Sequence, residues 1–211
     1  MNIKSGKIFV IKIGSSVLLT HRKKLDGLRI SHIANQAASL RKAGIGIVLV
    51  VSGAVACGSR NILLSEGARI SKQAVAGIGQ VALTSFFNKV FSKSRFQIAQ
   101  VLLTKNDLCS KNKRRRIASI LRFYIHAGII PFINENDVVD LNSFGGNDYL
   151  AAEIAMLLDA DQVIILSTME GSGYGVGGGT AKQQVINILN KRNIKGTILN
   201  GREKNVLLEA L

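Results

Sequence analysis

The sequence is poor in the residues that metal centres, disulfide scaffolds and stacking surfaces require. Its 211 residues include no tryptophan, one proline, two cysteines and three histidines, and aromatic residues make up only 5% of the chain. Cys57 and Cys109 form neither a C-x-x-C pair nor a metal-ligand spacing, so we expect two buried free thiols. The scattered histidines do not suggest a metal cluster either. We therefore expect no metal site built from protein side chains.

Long apolar runs are also absent. No apolar run reaches the roughly 20 residues that cross a membrane. The first residues, MNIKSGKIFVIKIGSS, lack the apolar segment and the cleavage site of a signal peptide. Apolar residues nevertheless make up 47% of the chain, which suits one domain over residues 1–211 with a sizeable core. We expect a cytoplasmic protein without a membrane partner.

Acidic residues are scarce. The 13 acidic residues face 28 lysines and arginines, which gives a formal net charge of +15. A field of this sign attracts nucleic acids and also small anions such as nucleoside triphosphates. The densest basic run, KNKRRR, lies at Lys111–Arg116. Because charge runs usually solvate a face, and because few aromatic residues are available to stack on bases, we interpret it as a solvated helix start and not as a nucleic-acid site.

Apolar runs rich in Val and Ile alternate with longer segments of helical periodicity. Six runs predict strands: Lys7–Gly14, Ile45–Gly53, Phe96–Thr104, Ile129–Asn134, Asp161–Ser167 and Gly196–Gly201. Five segments predict helices: Leu28–Gly44, Ser71–Phe91, Lys113–Gly128, Asp148–Ala160 and Ala181–Asn193. This alternation predicts an α/β fold, a three-layer αβα sandwich with a mainly parallel central sheet. In such sheets ligands bind beyond the carboxyl ends of the strands.

Four polar or glycine-containing loops lie near the predicted carboxyl ends of these strands. KIGSS, at Lys12–Ser16, combines a lysine with backbone N–H groups that can hold phosphate oxygens. VSGA, at Val51–Ala54, lets a ligand approach the backbone. INENDVV and FGGNDYL supply acids and amides that can bind an ammonium group or hold lysines in position. Each loop alone is equally compatible with a plain turn, with close packing or with a helix N-cap.

A glycine-rich loop, GSGYGVGGGTAK, occupies residues 171–182 between a predicted strand and a predicted helix. Three of its glycines fit G-x-G-x-x-G: Gly173, Gly175 and Gly178. Alone, this pattern permits a dinucleotide loop, another phosphate loop or a flexible connector. A Walker A loop requires glycine just before its lysine, whereas Ala181 precedes Lys182 here. A dinucleotide fold favours an acid at the end of the next strand, where this chain has Asn200.

Taken in their order along the chain, these motifs resemble the amino acid kinase family. The resemblance is to the branch whose members phosphorylate the γ-carboxylate of L-glutamate. It runs from about Lys7 to about Leu207 and includes IKIGSSVL, VSGAVACG, SKQAVAGIGQ, AQVLLT, INENDVV and NGRE. The family has a G-S-G-x-G-T-G-G loop followed by a lysine, and GSGYGVGGGTAK matches it through Lys182. The resemblance therefore implies a nucleotide phosphate loop.

The resemblance also implies which residues act. The γ-phosphoryl group of ATP would pass to L-glutamate, with Mg²⁺ accompanying ATP. Lys12 and Lys182 would neutralise the transferred group from opposite sides while Asp148 holds their ammonium groups, which makes these three the implied catalytic residues. ATP would contact Lys12, Gly14, Ser15, Ser167, Thr168, Gly175, Gly177, Gly178 and Lys182. Glutamate would contact Ser52, Gly53, Asp137 and Asn147. We also expect a homo-oligomer.

Several features depart from the pattern of that family. Gly146 stands where F-G-D-N-D has a carboxylate, and Ser167 and Thr168 replace a T-D pair. The segment after STMEG joins the glycine-rich loop with far fewer residues than the family has there, and we expect no C-terminal PUA domain. Two classes remain open. The first is a kinase, whose acceptor is glutamate, another carboxylate or carbamate. The second is a catalytically silent remnant that at most binds nucleotide or nucleic acid. We expect Gly146→Asp, which restores the carboxylate, to lower the KM for glutamate.

Overall fold

The computed structural model describes residues 6–22, 24–59, 70–168 and 179–210. Within these ranges, the strands are β1 (Ile8–Ile13), β2 (Gly46–Val51), β3 (Ile98–Leu103), β4 (Ile130–Glu135), β5 (Gln162–Ser167) and β6 (Lys195–Asn200). The α-helices in the same ranges are α1 (Ser15–Leu18), α2 (Gly27–Lys42), α3 (Ala54–Gly58), α4 (Lys72–Lys93), α5 (Lys111–His126), α6 (Asn147–Leu158) and α7 (Gly179–Asn190). The strands form one sheet in the order β3-β4-β2-β1-β5-β6.

Every pairing in this sheet is parallel. β1 lies at its centre, where Lys12 is in register with Val50 of β2 and with Ile165 of β5. All residues of β1, β2 and β4 are buried. A strand in a parallel sheet is covered on both faces, which explains why these segments are apolar runs without strict alternation.

Two apolar cores lie on opposite faces of the sheet. Ile11 and Ile13 of β1 belong to the core that includes buried residues of α2 and α4. Ile8 and Val10 belong to the core that includes buried residues of α5, α6 and α7. Because strand side chains alternate between faces, Lys12 is on the second face, which α6 covers. The expected α/β sandwich with a parallel central sheet is confirmed.

The predicted strands and helices are confirmed as elements. The sequence patterns do not predict α1, α3 or the 3₁₀ helix at Lys105–Leu108, because four or five residues are too few to show a helical period. No helix in the described ranges is long and apolar enough to span a bilayer.

The two cysteines differ in their surroundings. Cys57 is buried, as expected, and burial raises the pKa of its thiol to about 11. The prediction of a buried thiol at Cys109 is wrong, because this residue is exposed directly after the 3₁₀ helix. Its Sγ donates a hydrogen bond to the carbonyl oxygen of Lys105, four residues earlier, at 3.4 Å.

Glycines bring the backbones of α3 and α4 into contact. A Cβ on Gly79 would lie 1.8 Å from the carbonyl oxygen of Ala54, and a Cβ on Gly58 would lie 1.8 Å from that of Val75. No side chain fits at either position, which explains why VSGAVACG and SKQAVAGIGQ both carry glycine there. This packing holds α4, and with it the buried Gln80, against α3, the short helix that follows β2.

The basic run KNKRRR forms the start of α5. Lys113 pairs with Asp107 at 3.5 Å and Arg114 pairs with Glu153 at 3.1 Å. The side chains of the neighbouring Arg115 and Arg116 are exposed. This agrees with the interpretation of the run as a solvated helix start, because surface pairs of this kind are common on solvated faces.

Candidate active site

The carboxyl ends of β1, β2 and β5 lie together at one edge of the sheet. The N–H of Gly14 donates to the carbonyl oxygen of Leu166 at 3.0 Å, and that of Ser52 donates to the carbonyl oxygen of Ile13 at 3.1 Å. Gly53 lies against Ser15, whose Cβ is 3.9 Å from where a Cβ on Gly53 would be. The structure thus brings the GSS turn, the SGA turn and the end of β5 together, as parallel strands require.

A carboxylate between two lysines lies at this edge. Asp148 Oδ1 is 2.6 Å from Lys12 Nζ, and Asp148 Oδ2 is 3.6 Å from Lys182 Nζ. The three residues come from β1, from the second position of α6 and from the first turn of α7. The side chains of Lys12, Asp148 and Lys182 are 8%, 6% and 18% exposed. The structure therefore assembles all three residues that the resemblance implied as catalytic.

This cluster carries one more positive charge than negative charge. Burial lowers the pKa of Lys12, the carboxylate of Asp148 opposes this shift, and the second cation, Lys182, adds to it. A lowered lysine pKa means that the surroundings do not fully balance the buried ammonium charge. An anion bound here would supply the missing negative charge.

Two further features of the cluster suit a phosphate group. A Cβ on Gly14 would lie 3.7 Å from Lys12 Nζ, so the glycine keeps the space beside the ammonium group open. Lys182 lies in the first turn of the twelve-residue helix α7, whose N-terminus carries a partial positive charge. A helix N-terminus with an adjacent lysine is a common setting for phosphate oxygens.

Neither Asn147 nor Asp148 caps α6. The helix begins at Asn147, and its N-cap is Gly146, which makes no side-chain capping hydrogen bond. The alternative that these polar residues serve as N-caps is therefore wrong. The Asp148 carboxylate is instead directed to the two lysines, and the Asn147 amide Nδ2 donates to Asn134 Oδ1 at 3.0 Å.

Asp137 lies in the loop between β4 and α6. Its Oδ1 accepts a hydrogen bond from the N–H of Asn142 at 3.0 Å. Burial raises the pKa of Asp137, and the hydrogen bond from Asn142 opposes that shift. Asp137 lines a small cleft together with Ala54 of α3 and Gln80 of α4, so the structure brings it near the SGA turn.

Glu135 is a buried acid that the sequence interpretation did not single out. Its Oε2 accepts a hydrogen bond from the N–H of Phe144 at 3.0 Å, and the N–H of Gly146 also donates to this carboxylate. Burial raises its pKa most, the two N–H donors oppose the shift, and the nearby carboxylates of Asp137 and Asp140 add to it. An acid that directly follows the apolar run predicted as a buried strand is the signal that could have identified it. Glu135 holds the FGG turn directly before Asn147 and Asp148.

The residues expected at the nucleotide are described in part. Ser167 is the last residue of β5, its Oγ donates to the carbonyl oxygen of Thr168 at 3.3 Å, and Thr168 is buried. The carbonyl oxygen of Ser167 accepts a hydrogen bond from the N–H of Gly201 at 3.0 Å. The remaining nucleotide predictions lie outside the described residues, namely those for Gly175, Gly177 and Gly178.

The side chains at this edge fit an anion better than a metal ion. The described residues contain no group of three or more His, Cys, Asp or Glu that could hold a metal ion. The carboxylate at the centre of the site, Asp148, is engaged by two lysines. A magnesium ion at such a site would be held by phosphate oxygens and water, which is its usual mode with nucleotides.

Comparison with known proteins identifies relatives over most of the chain. A family model described as "Amino acid kinase family" matches residues 7–171. A glutamate 5-kinase from Thermus thermophilus is 41% identical over 170 residues, which cover 79% of this chain and 46% of that protein. Glutamate 5-kinase 2 of Bacillus subtilis is 37% identical over 171 residues, with the same two coverages of 79% and 46%. This chain thus spans about half the length of these curated relatives.

A longer alignment covers nearly the whole chain. A glutamate 5-kinase from Shewanella woodyi is 31% identical over 239 residues, which cover 96% of this chain and 64% of that protein. The alignment is longer than the 211 residues of this chain, so the relative carries residues that have no counterpart here. The shortened segment expected after STMEG stays a prediction.

Solved structures share the fold at low sequence identity. Carbamate kinase from Giardia lamblia bound to AMP-PNP matches with a TM-score of 0.67 at 10% identity, over 94% of each chain. UMP kinase from Bacillus anthracis matches with a TM-score of 0.61 at 16% identity, over 93% of this chain and 88% of that chain. With the family match, the identity to curated relatives and this shared fold, the chain belongs to the amino acid kinase family.

Proposed function

We propose that this chain is a glutamate 5-kinase, which transfers the γ-phosphoryl group of ATP to the γ-carboxylate of L-glutamate. The observation that carries the proposal is the buried Asp148 carboxylate between Lys12 and Lys182 at the carboxyl edge of the sheet. The identity to glutamate 5-kinases from Thermus thermophilus and Bacillus subtilis supports the choice of acceptor. The product, an acyl phosphate of glutamate, would be the first intermediate of proline biosynthesis.

The proposed reaction needs charge neutralisation and positioning rather than a general base. The γ-carboxylate of glutamate is already ionised at neutral pH. One of its oxygens attacks the γ-phosphorus of ATP, the bond from that phosphorus to the bridging oxygen breaks, and ADP leaves with that electron pair. Lys12 and Lys182 would stabilise the negative charge on the transferred group, and Asp148 would hold both ammonium groups in place.

The proposed substrate contacts are divided between two sides of the site. ATP would lie over the GSS turn, the end of β5 and the N-terminus of α7, with Gly14, Ser15, Ser167 and Thr168 near its phosphates. Glutamate would lie on the side of Ser52, Gly53, Asp137 and Asn147. Mg²⁺ would arrive with ATP and supply further neutralisation of the phosphate charge.

We also propose that the enzyme is cytoplasmic, that residues 1–211 form one kinase domain, and that the chain self-associates.

The self-association is proposed from exposed valines. Val81 of α4 is 69% exposed, and Val138 and Val139 of the β4–α6 loop are 52% and 71% exposed. Val138 contacts α4, because a Cβ on Gly77 would lie 3.2 Å from a methyl group of Val138. Contiguous exposed apolar side chains of this kind favour an interface. Light scattering of the purified chain would test this, and a monomer at all concentrations would contradict it.

The second candidate is a member that binds nucleotide without turnover, or one that uses another acceptor. The shortened segment and the glycine at position 146 favour it, because the segment precedes the helix that carries Lys182 and Gly146 directly precedes Asn147 and Asp148. The intact arrangement of Lys12, Asp148 and Lys182 favours the active kinase, because a buried charged cluster is costly to keep without a use.

A test of the proposal measures ADP release and hydroxamate formation with L-glutamate, L-aspartate and carbamate in the presence of hydroxylamine. We expect L-glutamate to be used better than both other acceptors, and at least about tenfold better than L-aspartate, because one methylene changes transition-state binding by about that factor. A preference for another acceptor would replace glutamate in the proposal. AMP-PNP binding without ADP formation on any acceptor would establish the silent candidate.

A further inference from the structure

We infer that Gln80 is a positioning residue for the acceptor substrate. Through Asn134, Gln80 fixes the orientation of the Asn147 amide, so that the carbonyl oxygen of Asn147 accepts a hydrogen bond from an ammonium group of that substrate. The inference rests on the proposed function in taking a small amino acid as the acceptor. It goes beyond that function by assigning a role to Gln80 and by stating which chemical group of the acceptor the site selects.

The orientation starts from a backbone N–H group, which can only donate. The N–H of Glu135 donates to Asn134 Oδ1 at 2.9 Å. This contact identifies the oxygen of the Asn134 amide and therefore also its nitrogen. Asn134 is 1% exposed, so water cannot replace either partner readily.

The same oxygen of Asn134 accepts a second hydrogen bond, from Asn147 Nδ2 at 3.0 Å. If the Asn147 amide were reversed, its oxygen would face the oxygen of Asn134, and two acceptors would repel one another. The Asn147 oxygen must therefore point away from Asn134. This oxygen, Oδ1, is buried and finds no hydrogen-bond partner among the residues that the structure describes.

Gln80 holds Asn134 from the other side. Asn134 Nδ2 donates to Gln80 Oε1 at 2.8 Å, and Gln80 Nε2 donates to Thr84 Oγ1 at 3.2 Å. Gln80 is 7% exposed and follows Gly79, whose contact with Ala54 holds α4 against α3. Hydrogen bonds therefore connect Gln80 of α4 through Asn134 to Asn147 of α6, and both helices hold this chain of side chains in place.

A buried acceptor without a partner is costly, and a ligand that supplies a donor relieves the cost. Asn147 is directly followed by Asp148, so this acceptor lies beside the proposed reacting groups. An ammonium group suits it, whereas an acceptor substrate without an N–H group leaves the oxygen unpaired. Sites built in this way discriminate strongly against analogues that lack the donor.

The test compares L-glutamate with glutarate, which has both carboxylates but no ammonium group. Their dissociation constants are measured by calorimetry in the presence of Mg²⁺ and AMP-PNP, for the wild-type chain, Gln80→Met and Gln80→Glu. Gln80→Met removes the acceptor for Asn134 at similar length, and Gln80→Glu keeps an acceptor. We expect Gln80→Met to reduce the preference for L-glutamate over glutarate about three- to tenfold, and Gln80→Glu to retain it.

The affinity for AMP-PNP reports on folding and should stay within about twofold in both variants. Gln80→Met with an unchanged glutamate preference would overturn the inference. If Gln80→Met does not fold, Thr84→Val removes the outer partner of Gln80 and should lower the preference by a smaller factor, and an unchanged preference there would again overturn it. Wild-type chain that binds neither acid would overturn both this inference and the proposed function. Selective binding of L-glutamate without turnover would remove the kinase activity alone.

Discussion

Lys12 Nζ and Asp148 Oδ1 lie 2.6 Å apart although 135 residues separate them in the chain, and both side chains are less than one-tenth exposed. β1 places the lysine on the sheet face that α6 covers, and the start of α6 places the carboxylate above it. A pair this deeply buried is costly to form and costly to break. Its position at the carboxyl edge of the sheet makes it the structural basis of the proposed activity.

Asp148→Asn should separate the two roles of the carboxylate, which are to balance the buried charge of Lys12 in the folded protein and to hold the two lysines in place for turnover. The variant leaves Lys12 buried without an anionic partner, which costs about 3–5 kcal/mol of stability. Both lysines remain, so we expect AMP-PNP binding to persist while kcat falls on the order of 100-fold because the lysines are no longer held.

The matched control is Asp159→Asn, at the other end of the same helix. Asp159 is the C-cap of α6 and its side chain is 90% exposed, so the same chemical change there should alter stability by no more than about 0.5 kcal/mol. Denaturant unfolding and calorimetry distinguish the two variants. A stable Asp148→Asn variant with full turnover would contradict the role given to this carboxylate.

Lys12→Ala and Lys182→Ala should each lower kcat on the order of 100-fold or more, because each removes a charge that acts most strongly in the transition state. Lys191→Ala provides the control, since Lys191 directly follows α7 and is exposed. Steady-state kinetics with ATP and L-glutamate measure the effect. Normal turnover in either of the first two variants would exclude that lysine from the proposed role.

The backbone at Gly146 changes what is expected of Gly146→Asp. Its φ of 121° and ψ of 155° lie in a region of backbone conformation that residues other than glycine rarely adopt. The strain costs about 1–3 kcal/mol, comparable to the attraction that a restored carboxylate could offer to an ammonium group. We now expect lower stability together with, at most, a modest fall in the KM for glutamate.

Gly146→Ala is the matched variant, because it introduces the same backbone strain without a carboxylate. Thermal unfolding should show similar losses in both variants, and the difference in KM between them isolates the effect of the charge. Equal stability of Gly146→Asp and the wild-type chain would show that the turn accepts a side chain.

The strands, their parallel arrangement and the longer helices follow from the sequence pattern, whereas the strand order was not predicted and the site follows only in part. Val- and Ile-rich runs predict buried parallel strands because such strands are covered on both faces, and all six are found. The contact of Lys12 with Asp148 is not visible in the sequence pattern and was expected only from the family resemblance. The distance between these two residues, which are far apart in sequence, depends on how α6 packs on the sheet.

Buried polar residues are the part that the sequence interpretation missed. Glu135 and Gln80 are of residue types that usually lie at the surface, yet each is less than 8% exposed. Their partners come from other elements, such as Phe144 for Glu135, and no local pattern identifies such pairs. Gly146 shows the same limit: the sequence reveals a missing carboxylate but not the positive φ of the backbone.

Glu135→Gln should change how stability depends on pH. Burial raises the pKa of Glu135, so the folded chain binds more protons than the unfolded chain between the unfolded and the folded pKa. The contribution of Glu135 is therefore complete below the ordinary carboxyl pKa and is lost as the pH rises through the raised folded value. Gln keeps a carbonyl acceptor for the N–H of Phe144 and removes this titration.

We expect the free energy of unfolding of Glu135→Gln to vary less with pH than that of the wild-type chain as the pH rises above the ordinary carboxyl pKa. Urea unfolding at several pH values measures this. Asp159→Asn, a carboxylate that is 90% exposed at the far end of α6, is the control. Identical pH profiles for Glu135→Gln and the wild-type chain would show that Glu135 does not titrate as its burial requires.

The most direct measurement of the central claim is the ratio of ADP released to γ-glutamyl hydroxamate formed when the purified chain is given ATP, Mg²⁺, L-glutamate and hydroxylamine. The proposed phosphoryl transfer predicts equal amounts of the two products, dependence of both on L-glutamate, and loss of both in Lys12→Ala and Lys182→Ala. ADP release that does not depend on L-glutamate, or a folded chain that binds AMP-PNP and forms neither product, would contradict it.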